Sequence, residues 1–258
     1  MRGAVTAIIA APMGLTLQER VYPESRFGGF TRIDGTVAFL GRVRSLLAPG
    51  QLVLDVGCGR GGRKLDPCRY RVAMQDLRGD GRRVVGIDVD DAGGTNPFID
   101  EFRKIQDLQR WPVDDASVDV AISDFVMEHV EHPDHFLREA HRVLKPGGVL
   151  CIRTPNRWGY VALASRMIPN RMHARVLSKV QADRDEVDVF PTFYRCNSRG
   201  RLQRAMERAG FDAAVWTTEA EPGYFAFSGL LYRVAAMAHA VMPAPLRTTL
   251  VAFGRRRA

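Results

Sequence analysis

The chain has few cysteines. Four occur in 258 residues (Cys58, Cys68, Cys151 and Cys196), with no C-x-x-C pair and no clustered histidines. That scarcity argues against a disulfide framework, signals no zinc or other metal site, and fits a reducing, cytoplasmic setting. No apolar run reaches the roughly 18 residues that a membrane span needs, because Arg, His or Pro interrupts the longest stretches. The chain is therefore expected not to cross a membrane. It also lacks internal repeats and low-complexity tracts, which sets solenoids and disordered arrays aside. An Asn-Pro-Pro-Tyr-like base-flipping motif and a recognisable RNA-binding module are missing too, and the basic residues form no evident stripe, so nucleic acid is not the favoured partner.

What is present is an ordinary globular composition, 46% apolar and 26% charged, in a chain long enough for one well-cored domain. The net charge of +8 and a pI near 9.7 favour anionic partners without choosing among nucleic acid, anionic lipid and phosphorylated small molecules. Met1 to Gly14, with one Arg and the apolar stretch Ala4–Ala11, has the outline of a signal peptide. A loosely ordered N-terminus is the simpler reading.

From Gln51 to Arg153 short β-branched runs alternate with helical patterns, the mark of βαβ units and a mostly parallel, doubly wound sheet. The strand candidates are Leu52–Val56, Val84–Asp88, Val118–Ser123 and Val149–Thr154, each apolar enough to be buried on both faces. Phe136–Leu144 repeats its apolar residues at helical spacing, and Lys145-Pro146-Gly147-Gly148 then predicts a turn into a strand. Helices are also expected at Val37–Leu47, covering a sheet edge, and at Ser198–Ala209, ending at Gly210. The glycine-bearing segment Arg26–Phe30 suits a lid.

The segment Val53-Leu54-Asp55-Val56-Gly57-Cys58-Gly59-Arg60-Gly61 places a buried strand before a glycine turn, where absent β-carbons let main chain approach a ligand closely. An acid two residues ahead of the first glycine repels a pyrophosphate but suits the ammonium end of a cationic amino-acid cofactor. At Leu54–Gly61 the sequence resembles the class I S-adenosylmethionine-dependent methyltransferases, with a type 11-like core, over roughly Leu52 to Asn156. The resemblance implies a Rossmann-like α/β fold that uses S-adenosylmethionine and releases S-adenosylhomocysteine. The chain length favours one domain, read with 1–50 as N-terminal cap and lid, 51–156 as cofactor-binding core, and 157–258 as substrate elements and tail.

Asp88, ending Val85-Gly86-Ile87-Asp88, is placed to accept both ribose hydroxyls, with Val89 beside it; the competing reading is that it opens a turn with Asp90 and Asp91. From Gly59 to Asp88 is 29 positions, longer than a dinucleotide fingerprint, so the insertion around Asp66-Pro67-Cys68 lengthens the crossover. By resemblance Asp107 meets the adenine amino group, and the Leu108 amide meets the ring. A carbonyl near Ser123 or Asp124, ahead of Phe125, receives the cofactor amine. Val126-Met127-Glu128-His129-Val130 is expected to open a helix beside the site.

Methyl transfer from a sulfonium needs alignment and water exclusion more than it needs a metal. A hydroxyl acceptor benefits from a base, for which His129, His132, His135 and His173 have suitable chemistry; His129 equally suits a role organising the helix start. Trp158, Tyr160, Arg166, Arg171, Arg175, Phe190, Phe193, Tyr194 and Arg195 suit a small anionic or glycosylated metabolite, so O-methylation of a small molecule is the leading reading. Phe225–Phe253 followed by Arg255-Arg256-Arg257 suggests peripheral contact with anionic lipid and a lipid-linked acceptor. An RNA methyltransferase, a non-catalytic cofactor binder and a nicotinamide dehydrogenase are the further alternatives.

Overall fold

The computed structural model describes residues 14–160, 162 and 191–258. Residues 1–13, His173, Arg166, Arg171, Arg175 and Phe190, all singled out above, lie outside the described residues. Leu52–Val56 (β1), Arg83–Asp88 (β2), Glu101–Lys104 (β3), Val118–Asp124 (β4), Leu144–Pro155 (β5), Phe211–Thr218 (β6) and Thr249–Arg256 (β7) build a seven-stranded sheet in the order β3-β2-β1-β4-β5-β7-β6. Strands β1 to β5 pair in parallel, and β7 runs antiparallel between β5 and β6. The expected Rossmann-like sheet is the one observed. Its order reverses between β1 and β4, so the crevice at their carboxyl ends is where this architecture receives a ligand.

Alternation along the strands splits the core into two layers. Leu54, Val56, Ile87, Leu150 and Ile152 face Pro133–Val143 (α4) and Arg199–Arg208 (α5). Val53, Val84, Val120, Ile122 and Cys151 face Gly35–Arg44 (α2) and the region of Arg69–Gln75 (α3). Helix α2 starts where Asp34 Oδ1 accepts the Thr36 and Val37 N–H groups, each at 2.9 Å, satisfying two donors that the first turn leaves over. Leu17–Val21 (α1) opens with a capping box from Thr16 and Glu19. It packs against Gly229–Ala240 (α6), which connects β6 to β7.

Three sequence expectations change. Val126–Val130 does not open a helix: Met127–His129 is a single 3-10 turn, and α4 begins only at Pro133, whose ring fixes φ for a first helical position. Lys145–Gly148 belongs to the irregular start of β5, where the register against β4 shifts between Val118 and Val120. The C-terminal stretch is not one apolar tail with an arginine tip, because its last part is an internal strand. Arg255 Nη1 donates to Gly147 O at 2.7 Å and the Arg256 guanidinium to Leu144 O, at the edge opposite to α6. No described helix is long and apolar enough to cross a membrane.

Candidate cofactor and acceptor site

After β1 the chain turns at Gly57 (φ +72°) and Gly59 (φ +49°), a region that side-chain-bearing residues rarely enter. The turn is held through its own main-chain groups, by backbone and side-chain partners. Gly57 N and Cys58 N both donate to Ile87 O, at 2.8 and 3.2 Å, and Gly59 N donates to Asp88 Oδ2 at 2.9 Å. Asn96 Nδ2 closes the other side on Cys58 O at 2.8 Å, and Gly61 packs against that same Asn96. A β-carbon on Gly57 runs into Val126, whereas one on Gly59 meets nothing within 4 Å. Gly59 therefore borders open space, which leaves the main chain bare of neighbouring side chains on that side.

Asp88 is only 8% exposed, and both its oxygens are engaged: Oδ2 by Gly59 N and Oδ1 by Asp90 N at 3.0 Å. The turn-opening reading therefore holds as a structural fact. Each carboxylate oxygen keeps a second acceptor direction, so the pre-ordered Asp88 is also suited to take hydroxyl donors. Burial, followed by the Asp55 and Asp88 carboxylates, pushes the Cys58 thiol well above its ordinary range, which puts both acids within electrostatic reach of the loop. Val89 and Leu108, on the segments that follow β2 and β3, are 45% and 64% exposed. Two aliphatic side chains left bare near the carboxyl edge suit the faces of a flat heterocycle. Asp107 Oδ1 caps its own turn through Gln109 N at 2.8 Å.

At the exit of β4, Ser123 is fully buried and its Oγ has no hydrogen-bond partner. Asp124 forms a two-pronged pair with Arg153 of β5, at 2.6 and 2.7 Å, which commits its side chain. Arg153 is 3% exposed, reaches Thr36 Oγ1 at 3.1 Å, and stacks over Phe39 and Phe125 at 5.0 and 4.9 Å. Phe125 has φ +59°, which is strain for a residue with a bulky side chain, and its N–H is held by Arg153 O at 2.8 Å.

Beside this exit Glu128, 5% exposed, accepts Thr154 Oγ1 at 2.9 Å, and Asn197 Nδ2 donates to the same hydroxyl oxygen at 2.6 Å. His129 Nδ1 lies 2.9 Å from Pro191 O. A carbonyl only accepts, so the neutral ring carries its proton on Nδ1 and its lone pair on Nε2. Glu128 Oε1 stands 4.0 Å from that Nε2, in place to balance the charge of a protonated ring. Phe193 N and Tyr194 N donate to Glu128 O at 2.8 and 3.2 Å, which brings the segment after residue 190 onto the site. His132 and His135 instead face each other at the start of α4, ring centroids 6.0 Å apart.

Beyond β6 a buried polar cluster caps the same edge. Glu219 Oε1 accepts Thr248 Oγ1 at 2.6 Å and lies 3.6 Å from His239 Nδ1, while Glu219 Oε2 is buried without a partner. Tyr160 stacks on Phe225 and leans on His239 at 5.2 Å. Burial, then Glu219 and Tyr224, pushes the Tyr160 phenol upward, which keeps it a neutral hydrogen-bond group. The Arg26–Phe30 segment is pinned to the insertion: Phe30 stacks on Tyr70 at 5.1 Å, and Gly28 O accepts Cys68 Sγ at 3.2 Å.

The structure thus brings Asp55, Gly57, Cys58, Gly59, Asp88, Val89, Ser123, Asp124, Phe125 and His129 to the carboxyl ends of β1, β2 and β4, with Asp107 and Leu108 beyond β3. Sequence reasoning missed Asn96, Arg153, Asn197, Glu219 and His239. None of these belongs to a local motif, although an Arg inside the apolar run of β5 was a readable sign of a buried ion pair. The orphaned Ser123 Oγ, the glycine floor and the acids fit a cationic nucleoside cofactor.

A family model described as a methyltransferase domain matches residues 30–214. A probable S-adenosylmethionine-dependent methyltransferase of Mycolicibacterium smegmatis is 39% identical over 114 residues, which are 42% of this chain and 39% of that protein. The ubiquinone biosynthesis O-methyltransferase of Maricaulis maris is 33% identical over 116 residues, 42% of each chain. The match thus spans about two fifths of the length of these curated relatives. Among solved structures, a putative methyltransferase of Haloferax volcanii, in complex with the Trm112 methyltransferase activator, superposes with a TM-score of 0.54 at 19% identity, covering 86% of this chain and 90% of that one.

Proposed function

The chain belongs to the methyltransferase-domain family, and from that premise we propose that it is an S-adenosylmethionine-dependent enzyme that O-methylates a small-molecule acceptor, with His129 as general base. The observation that carries the base assignment is the His129–Pro191 hydrogen bond, which fixes the tautomer with a proton-accepting Nε2. Gly57, Cys58 and Gly59 offer main chain to the amino-acid end of the cofactor, Asp88 takes the ribose hydroxyls, and Val89 and Leu108 flank the adenine, whose amino group meets Asp107. Bound S-adenosylmethionine supplies an electrophilic methyl group. His129 Nε2 removes the acceptor hydroxyl proton as the oxygen gains its new bond to carbon, and Glu128 balances the imidazolium. Thr154 and Asn197 hold Glu128 in its rotamer. That the Maricaulis maris relative is an O-methyltransferase agrees with this chemistry.

The test is S-adenosylhomocysteine release with a panel of phenols and sugar hydroxyls. His129→Gln should lower kcat by about 10²–10⁴-fold and remove the acid limb of the pH profile while leaving S-adenosylhomocysteine affinity unchanged. An unaltered kcat and profile remove the base assignment.

A second reading, an acceptor met at a membrane surface, is favoured by one observation. Along and beside α6, Phe227, Leu230, Val234, Met237 and Val241 are 72%, 73%, 49%, 67% and 80% exposed, at spacings that put them on one helical stripe. Met237→Asp should abolish co-sedimentation with phosphatidylglycerol vesicles at low salt. Equal pelleting of both proteins rules the stripe out.

A further inference from the structure

A broad cleft of about 750 Å³ runs between the start of α4 and α5, and neither the cofactor nor the base uses it. Its walls carry Arg138, Arg195, Arg201, Arg204 and Arg208 against only Glu131 and Asp134, a surplus of three positive charges. Among the described residues one of these arginines meets a carboxylate: Arg208 pairs with Asp134 at 3.3 Å, through side chains 64% and 63% exposed, where solvent weakens the pair. The arrangement follows from helical spacing. Arg201, Arg204 and Arg208 recur at i, i+3 and i+7 on α5, with Ala205 at the floor of the cleft between them, while Leu202 and Met206 are buried on the other side of the helix. Arg201 and Arg208 are about 10 Å apart along the axis, a span that suits an extended multiply charged anion better than one phosphate.

Residues lining the cleft are chain neighbours of the candidate site. Glu131 and His132 lie two and three positions after His129, and Arg195 and Cys196 precede the Asn197 that holds Thr154 and, through it, Glu128. Guanidinium forks match phosphate oxygens two at a time, so several of them lining one cleft read chemistry that a scattered positive field does not.

We propose that this cleft binds the diphosphate end of the acceptor, leaving the acceptor's hydroxyl-bearing end at His129. The assignment rests on the methyltransferase reading and adds the substrate class to it.

Inorganic pyrophosphate is the probe, titrated calorimetrically into the whole chain saturated with S-adenosylhomocysteine, whose own affinity is measured first. Saturable binding is expected, and Arg201→Gln with Arg204→Gln should weaken it by at least about 10-fold. A control with the same charge change elsewhere, Arg69→Gln with Arg257→Gln, should weaken it by less than about 3-fold. S-adenosylhomocysteine affinity should be unchanged in both. Vesicles with and without phosphatidic acid separate the sources of the phosphate: pelleting that needs both that lipid and Arg201/Arg204 assigns a lipid headgroup, and pyrophosphate binding without pelleting assigns a soluble ester. Absence of saturable pyrophosphate binding, or equal weakening by the two double variants, overturns the proposal while the cofactor reading stands. Failure of S-adenosylhomocysteine to bind overturns the methyltransferase reading and the acceptor assignment with it.

Discussion

Gly57 and Gly59 are two residues apart and both have positive φ, yet the structure assigns them different burdens, and alanine at each position separates the two. At Gly57 the added methyl strains a backbone at φ +72° and drives into Val126, with Cγ1 3.0 Å away and Cγ2 nearer still. The left-handed conformation costs about 1–2 kcal/mol for a residue with a β-carbon. Overpacking against Val126 adds about 1–3 kcal/mol, so Gly57→Ala should destabilise by roughly 2–5 kcal/mol. At Gly59 the same methyl meets nothing within 4 Å at φ +49°, so only the backbone part, about 1–2 kcal/mol, applies. That methyl instead occupies the crevice, and S-adenosylhomocysteine affinity should fall by about 10-fold or more. Urea unfolding reads the first quantity and calorimetric titration the second. Val126→Ala removes both methyls that Gly57→Ala strikes, so the double variant should recover about 1–3 kcal/mol relative to additivity. Strictly additive free energies, or a Gly59→Ala protein that binds S-adenosylhomocysteine normally, refute this account of the loop.

Asp88→Asn turns one of the two oxygens that accept from Gly59 N and Asp90 N into a donor, so one of these N–H groups loses its acceptor whichever way the amide is oriented, and S-adenosylhomocysteine affinity should drop by about 10- to 100-fold, measured by calorimetry; unchanged affinity removes the ribose assignment. Glu139 joins α4 to the loop before β4, accepting Trp111 N at 2.7 Å and the Arg142 fork at 2.6 and 2.8 Å. Burial pushes its carboxyl up, but the Arg142 fork and the Trp111 N–H together outweigh burial and leave it below the usual carboxylate range. Its stabilisation is therefore present above the unfolded-state value and lost as pH falls through the folded one. Glu139→Gln should cost about 1–3 kcal/mol at pH 7, with the gap to the parent closing in acid, as followed by urea unfolding across pH. A gap independent of pH contradicts the sign.

Local pattern was enough for the central strands, because a strand buried on both faces must be written in consecutive apolar residues, and β1 appears at the bounds read from Leu52–Val56. The glycine loop and Asp88 were legible for a related reason: positive φ and close main-chain approach restrict which residues can stand there. The strands β6 and β7 were not legible. Their apolar residues alternate or mix with Arg and Gly, and β7 acquires its place only by pairing between β5 and β6. Pairing likewise decided the arginine triplet, which chain order set beside an apolar helix and the sheet carried to the opposite edge.

The sequence by itself determined the fold class and the glycine loop with Asp88 at its side, since each depends on residue types within a few positions of one another. Tertiary structure alone decided that Arg153 meets Asp124 across two strands, that His129 turns its proton toward Pro191, and that arginines from two helices face one cleft. Such contacts join residues far apart in the chain, and a spacing rule cannot see them because their distance is set by packing and not by the covalent path.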